Sequence, residues 1–106
     1  MVANRLERLL EFVRDHPEDA FARYGLAMEW MRAGDSDAAL EQFAQLRQRH
    51  PDYPAGYQQA GQLLIGLRRH GEARALLAAG IAAARRQGDP HAATEMQGLV
   101  DELPPE

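Results

Sequence analysis

Few of the residue types that carry out enzyme chemistry occur in this chain of 106 residues. Cysteine is absent, which excludes disulfides, thiolate metal ligands and a cysteine nucleophile. All 12 basic residues are Arg, so Schiff-base chemistry and a P-loop lysine are excluded as well. The single serine, Ser36, lies in a predicted turn between Asp35 and Asp37, where helix capping explains it better than catalysis. Because no nucleophile is paired with a base, we expect a protein that is not an enzyme.

Histidines are the remaining candidates for metal ligands: His16, His50, His70 and His91. All four fall at predicted helix ends, where a histidine near a helix C-terminus commonly caps the last carbonyl groups. His16 and His50 are 34 residues apart in a repeating sequence, so we expect roughly one helix-packing distance, about 10 Å, between them. We therefore expect neither a metal nor another cofactor.

Positive charge is concentrated in one stretch of the chain. Residues 51–86 carry five Arg against two carboxylates, whereas residues 87–106 carry five carboxylates and no Arg. The Arg-rich positions are Arg68, Arg69, Arg74, Arg85 and Arg86, together with His70. No aromatic side chain lies among them as a stacking platform, and the net charge of −4 also argues against nucleic-acid binding. The simpler interpretation is a solvated turn and helix end, partly neutralised by Asp101 and Glu102.

The composition predicts an all-α fold. The chain has 19 Ala and 13 Leu but only six residues of Val, Ile and Thr together, too few to furnish a β-sheet. The first 16 residues are amphipathic, with charged side chains interspersed among apolar ones, unlike a signal peptide, and no apolar run approaches the length of a membrane span. We therefore expect a cytoplasmic protein that does not contact membranes.

The sequence repeats itself with a shift of 34 residues. His16-Pro17 falls on His50-Pro51, and Leu9 falls on Phe43, which in turn falls on Leu77. Stop and cap signals fit the same frame: Gly34-Asp35, His50-Pro51, Gly71 and Gly88-Asp89-Pro90. They predict six helices at residues 2–15, 18–33, 37–49, 54–67, 71–86 and 90–103. No linker separates these helices, so we expect one domain, residues 1–103, with a loose tail at 104–106.

On these residues the chain resembles the tetratricopeptide repeat (TPR) family, in particular small bacterial members, whose unit is a helix–turn–helix of 34 residues. The residues that carry the resemblance are Leu26, Ala27, Trp30, Gly34, Ala39, Phe43 and Pro51 in the first repeat and Tyr57, Gly61, Leu64, Ala73 and Leu77 in the second. The resemblance implies a right-handed solenoid of antiparallel helices. It would comprise half a repeat at residues 2–17, repeats at 18–51 and 52–87, and a capping helix at 90–103.

The sequence departs from the family pattern at several positions. Arg23 stands where the family usually has a large apolar residue, and Arg68-Arg69 replaces the Gly-Asp pair of the first repeat. Gly80 takes a place more often held by Ala. Arg85 replaces the proline that closes a repeat, so the second helix of that repeat is expected to continue to about Gln87.

The resemblance also implies a binding surface, because the first helix of each TPR pair lines a groove that takes an extended peptide or a helix. The corresponding positions are Phe21, Tyr24, Met28, Met31 and Arg32 in the first repeat and Gln58, Gln59, Gln62 and Ile65 in the second. Independently of the family, the spacing of Phe21, Tyr24, Met28 and Met31 places them on one stripe of a helix. The alternative for Phe21 and Tyr24 is packing against the first helix through Leu9, Phe12 and Val13.

The function that these observations favour is a non-catalytic protein–protein interaction module that holds a peptide or helix of a partner in the groove. A clamp for the C-terminal carboxylate of heat-shock proteins is not expected, since Tyr24, Met28 and Gln59 occupy the places of its charged and amide residues. Two alternatives stay open. One is homo-oligomerisation, such as a homodimer, through the apolar stripe or through the basic 51–86 and acidic 87–106 surfaces. The other is weak nucleic-acid binding through the Arg-rich positions.

Overall fold

A computed structural model of the chain describes residues 4–105, and in that range it contains six α-helices and no β-strand. The helices are α1 (Arg5–Asp15), α2 (Ala20–Arg32), α3 (Ser36–Arg49), α4 (Ala55–Gly66), α5 (His70–Arg86) and α6 (Pro90–Asp101). Their ends agree with the predicted ends to within two residues wherever the two can be compared. Residues 2 and 3 of the predicted first helix, and Glu106 of the predicted tail, lie outside the described residues.

Side-chain caps define where four of these helices begin. In each case a side-chain oxygen accepts a hydrogen bond from the backbone N–H three residues later, which satisfies one of the free donors of the first turn. The capping residues are Asn4, Asp19, Asp35 and Asp89, with distances of 2.8 to 3.0 Å. Helices α4 and α5 have no such side-chain hydrogen bond.

Three inter-helix turns share one backbone geometry. Gly34 and Gly88 adopt left-handed conformations with φ of 84° and 68°, and Arg68 adopts φ 61° at the equivalent place. In each turn the next N–H returns to the carbonyl five residues earlier, the hydrogen bond that characterises a Schellman motif. The break predicted at Gly71 therefore lies at Arg68, and Gly71 is inside α5.

The last helix of the second repeat continues to about Gln87, as the replacement of the closing proline by Arg85 predicts. Helix α5 has 17 residues, three more than α3, and ends at Arg86 with Gln87 as its C-cap. By contrast, His16 and His50 are the C-caps of α1 and α3, each directly before a proline. A proline disfavours helical geometry at the residue before it, which explains why those two helices stop there.

The chain divides into two compact units, and the division falls between His50 and Pro51. Unit 1, which ends at His50, contains α1, α2 and α3. Helix α2 packs on α3, where Ala27, Ala39, Phe43 and Leu46 are fully buried. Helix α1 packs on α2 through an apolar cluster that consists of Leu6, Leu9, Val13, Ala22, Leu26 and Trp30.

Unit 2, which begins at Pro51, contains α4, α5 and α6. Its core includes Tyr57, Leu77, Ile81, Ala84 and Met96. A Cβ atom added to Gly80 would lie 2.5 Å from both Met96 Sδ and Tyr57 Cβ, so the three helices of this unit meet at Gly80. A Cβ added to Gly61 would lie 2.5 Å from Leu77 Cδ2, which explains why α4 and α5 approach so closely there.

Arg23, the departure from the family pattern in α2, is only 4% exposed. Its guanidinium donates hydrogen bonds to the side-chain oxygens of Gln42 and Gln45 (2.9 and 2.8 Å) and to the carbonyl of Pro17 (3.0 Å), whereas Nε has no partner. Burial lowers the pKa of Arg23, and the nearby charge of Arg49 lowers it further. This cation is therefore held by neutral acceptors beside the buried apolar residues of α2 and α3.

No helix among residues 4–105 combines the length and the apolar character that crossing a bilayer requires.

Candidate functional site

Unit 1 has a groove of about 800 Å³ lined by both α1 and α2. Its apolar lining is Leu9 and Phe12 from α1 and Phe21, Ala22, Tyr24, Gly25 and Met28 from α2. Charged residues complete the lining: Arg5, Asp19, Glu29 and Arg32. Four of the five residues predicted for this repeat, Phe21, Tyr24, Met28 and Arg32, therefore lie together. The fifth, Met31, is half-buried and is not among the lining residues.

The aromatic side chains of this groove differ in how deeply they are buried. Phe21 is 77% exposed, so the alternative that it packs against α1 does not describe it. Tyr24 is half-buried and places its ring edge-on to Phe43 of α3, with centroids 6.4 Å apart. Phe12 is 42% exposed and stacks on His16. Two large aromatic residues thus remain open to a ligand in one groove, which is unusual for the surface of a soluble protein.

Electrostatics differ between the two ends of the groove. At one end the carboxylate of Glu29 accepts from Arg5 Nε (2.7 Å) and from Arg32 Nε (3.4 Å). Two guanidinium groups share one carboxylate, so this end has a net positive charge. At the other end the Asp19 carboxylate is already used as the N-cap of α2.

The residues predicted in the second repeat lie in unit 2 and form a more polar surface. Gln58 Nε2 donates to Glu95 Oε2 of α6 at 2.8 Å, so its amide is already engaged within the unit. Gln59 is half-buried and Gln62 is exposed. Ile65 packs against the core of unit 2. Gln58 and Gln62 thus place amide groups where the 34-residue shift places the ring of Tyr24 and the thioether of Met28 in unit 1.

The sequence predicts Leu9 and Phe12 of α1 only as packing partners of Phe21 and Tyr24, and not as lining of a groove. Arg5, Leu9 and Phe12 of α1 line the groove beside the expected residues of α2. The 34-residue shift contained the signal, because it places Leu9 on Phe43 and Phe12 on Leu46. Phe43 and Leu46 are fully buried in their own helix pair.

The four histidines lie at helix ends, as predicted. His16 Nδ1 donates to the Phe12 carbonyl (3.1 Å), and His50 Nε2 donates to the Glu18 carbonyl (3.0 Å). His91 pairs with Glu95, and His70 is the first residue of α5. Within the described part of the chain, no three His, Cys, Asp or Glu side chains are grouped so that they could hold a metal ion.

Most of the Arg-rich positions have partners within unit 2. Arg69 binds Glu72 through two hydrogen bonds (2.6 and 2.9 Å), and this contact lowers the pKa of Glu72. Arg86 pairs with Asp52 at 2.7 Å. Arg74 donates to the carbonyl of Pro104 at 2.7 Å. Glu72 and Asp52 are thus the carboxylate partners observed for these Arg side chains, whereas the sequence predicts Asp101 and Glu102 in that role.

Comparison with known proteins gives consistent matches. A model described as tetratricopeptide repeat matches residues 30–96, more than half of the chain. A TPR domain protein from Salinibacter ruber, solved by NMR, is 36% identical with a TM-score of 0.75, over 79% of this chain and 85% of that one. A protein from Bordetella parapertussis is 24% identical with a TM-score of 0.80, over 96% and 89% of the two chains.

A further similar structure is the TPR2B domain of yeast Sti1, in a complex with pHsp70. It is 17% identical with a TM-score of 0.82, over 90% of this chain and 76% of that one. At this identity the likeness shows the fold alone. No curated protein matches the sequence. The 34-residue period, the helix pairs and the matched family model agree, and the chain belongs to the tetratricopeptide repeat family.

Proposed function

We propose that this protein binds a segment of another protein in the groove of unit 1. TPR domains are generally protein-interaction modules without catalytic activity. One observation carries the proposal: Phe21 and Phe12 stay 77% and 42% exposed in a groove that other apolar residues, such as Leu9 and Met28, also line. Burying such side chains against a partner is worth about 1.5 to 3 kcal/mol each when complete, which makes them suitable anchors.

The composition of the groove favours apolar contacts over recognition of a carboxylate. Met28 has a flexible thioether that adapts to different partners, and Tyr24 can add a hydroxyl at the edge of the contact. The chain has no Lys, and Tyr24 and Met28 take places at which a carboxylate clamp has polar or charged side chains. The partner is therefore bound by its apolar residues.

The proposal is tested by affinity capture from a lysate of the source organism. Wild-type protein is compared with Phe21→Asp and with Met28→Asp, after circular dichroism has established that each variant is folded. A protein retained by the wild type should be lost, or reduced at least tenfold, with both variants, because a carboxylate in the groove opposes burial of an apolar partner.

The matched control is Leu67→Asp, which places the same charge at an exposed apolar residue of unit 2. This variant should retain the partner as well as the wild type does. Equal capture by wild type, Phe21→Asp and Met28→Asp would show that the groove of unit 1 is not the binding site.

A further inference from the structure

Helix α1 occupies the position of the second helix in a repeat whose first helix is not among the described residues. The 34-residue shift pairs Leu9 with Phe43 and Phe12 with Leu46. Phe43 and Leu46 are fully buried in α3, on which the first helix of that repeat packs. Phe12 is 42% exposed, so the surface that a first helix covers in the other repeat is open on α1.

Unit 2 shows what a complete arrangement of this kind looks like. A shift of 68 residues places Phe12 on Gly80, the point at which α4, α5 and α6 meet. The pair α1 and α2 matches the pair α5 and α6, since α2 and α6 each follow an Asp cap with a buried Ala and, four residues later, a buried apolar residue. In unit 2, α4 packs beside the pair α5 and α6. The groove of unit 1 lies beside the pair α1 and α2, at the position that corresponds to α4.

We propose that the groove of unit 1 holds one amphipathic helix of a partner protein, which takes the place of that first helix. The inference rests on the proposed function and specifies the chemistry of the partner. Tyr57 lies against Gly80, and four residues later Gly61 lies against Leu77, so α4 runs antiparallel to α5. The partner helix accordingly runs antiparallel to α1 and ends near Arg5.

The size of Phe12 determines one residue of the partner. In unit 2 the large side chain of Tyr57 is accommodated because its neighbour on α5 is Gly80. In unit 1 the neighbour is Phe12, so the volume is already occupied from the α1 side. Since overpacking is unfavourable, the partner residue that faces Phe12 is small, such as Ala or Gly.

The charge at the Arg5 end determines a second residue. Gln58 of α4 contacts Glu95 of α6. When α2 and α6 are aligned by their capping residues Asp19 and Asp89, Glu95 corresponds to Gly25. One turn later, a helix seated in unit 1 lies beside Glu29, where Arg5 and Arg32 share one carboxylate. A carboxylate on the partner helix, five positions after the small residue, pairs with this excess positive charge. The negative end of the helix dipole points the same way.

Two synthetic peptides serve as probes. Both have the sequence of residues 18–34 of this chain, because α2 covers the matching apolar residues of α3. Both carry Arg23→Ala as the small residue, and they differ only in Met28→Glu or Met28→Lys. Amide chemical shifts of the ¹⁵N-labelled full chain give the binding site and the dissociation constant of each peptide.

We expect the largest shift changes at Leu9, Phe12 and Gly25. The Glu peptide should bind at least about threefold more tightly than the Lys peptide, the range of a partly exposed ion pair. The order should reverse with protein that carries Arg5→Glu. It should be unchanged with Arg85→Glu, a control that alters the net charge equally through an exposed residue of unit 2.

Phe12→Asp should abolish binding of both peptides, whereas Leu67→Asp should leave it unchanged. Absence of binding, shift changes elsewhere, or a preference that does not reverse with Arg5→Glu would overturn the helix proposal. The proposed function would survive that result if capture still depends on Phe21 and Met28. If light scattering shows a dimer that Phe12→Asp dissociates, the occupant is a second copy of this chain, and the proposal of a separate partner is wrong.

Discussion

Arg23 illustrates how a single side chain is accommodated against the pattern of its family. A buried guanidinium is costly, and here its three hydrogen-bond acceptors are neutral: two glutamine oxygens and a carbonyl. The charge of Glu18 favours the cation, but burial and the charge of Arg49 oppose it and lower the pKa of Arg23. Its Nε remains without a partner. The hydrogen bonds therefore offset a desolvation cost that an apolar residue at this position would not incur.

A pair of substitutions separates the packing role of Arg23 from its charge. Arg23→Ala should lower the free energy of unfolding by about 2 kcal/mol or more, because it leaves a cavity beside Gln42 and Gln45. Arg23→Met keeps most of the volume and removes the buried charge, so its stability should lie within about 1 kcal/mol of wild type or above it. Urea denaturation measures both. Equal losses for Ala and Met would mean that the hydrogen bonds, rather than the volume, are what stabilises.

Arg68 adopts a left-handed backbone conformation that is unfavourable for a residue with a side chain. The left-handed backbone costs a side chain with a Cβ about 1 to 2 kcal/mol, and the two equivalent turns use Gly34 and Gly88. Arg68→Gly should therefore raise the free energy of unfolding by about 1 kcal/mol. Arg68→Ala is the control, because it removes the charge but keeps the Cβ, and it should have little effect. If Arg68→Ala raised the free energy of unfolding as much as Arg68→Gly does, the Arg charge and not the backbone conformation would be the destabilising feature.

At the scale of the helices, close approach depends on a few small residues. Gly61 and Gly80 both face atoms of neighbouring helices within 2.5 Å of an ideal Cβ, but the neighbours differ in freedom. At Gly61 the nearest atom is the flexible end of Leu77, whereas at Gly80 it includes Tyr57 Cβ, which is tied to the backbone. Unit 2 can adjust at the first position more easily than at the second.

Alanine substitutions test this difference in the packing of α4, α5 and α6. Gly80→Ala should destabilise by about 2 kcal/mol or more, and Gly61→Ala by less, since Leu77 can change rotamer. Gly98→Ala provides the contrast: nothing lies within 4 Å of its ideal Cβ, so helix propensity should stabilise α6 by about 0.5 to 1 kcal/mol. Thermal melts of the three variants give the order, and a Gly80→Ala midpoint at or above that of wild type would refute the close packing.

At the scale of the whole molecule, the two units differ in how completely their helices are covered. Unit 2 has α6, whose Met96 is fully buried and whose Ala92 is buried in the same core. Unit 1 has an open groove beside α1, with Phe12 and Phe21 exposed. The open apolar surface therefore lies in unit 1, the unit for which we propose a partner.

Removal of α6 tests how much this coverage stabilises unit 2. Deleting residues 89–106 should cost unit 2 more than about 3 kcal/mol, because Tyr57, Ile81 and Ala84 lose the apolar surface that buries them. Circular dichroism should show a lower midpoint and loss of more helix than the 12 residues of α6 account for. A control that removes only residues 105 and 106 keeps the Arg74 contact to Pro104 and should melt like the wild type.

The number, type and approximate ends of the helices were predictable from the sequence. Gly88 ends α5, Asp89 caps α6, and Pro90 is the first residue of α6. Similar signals recur along the chain with the 34-residue shift. Such signals act over a few residues, so no tertiary contact is needed to interpret them. The stripe of Phe21, Tyr24 and Met28 was also predictable from the sequence, because residues three and four apart lie on the same face of a helix.

Burial and exposure were decided only by the tertiary structure. Phe12 and Leu46 hold the same place in the repeat, yet one is exposed and the other fully buried, because exposure depends on which helix lies opposite. Arg23 is buried because Gln42 and Gln45, about 20 positions further along the chain, bring acceptors to it. Arg68 takes the left-handed conformation because α4 and α5 require a turn there, whichever residue the sequence supplies.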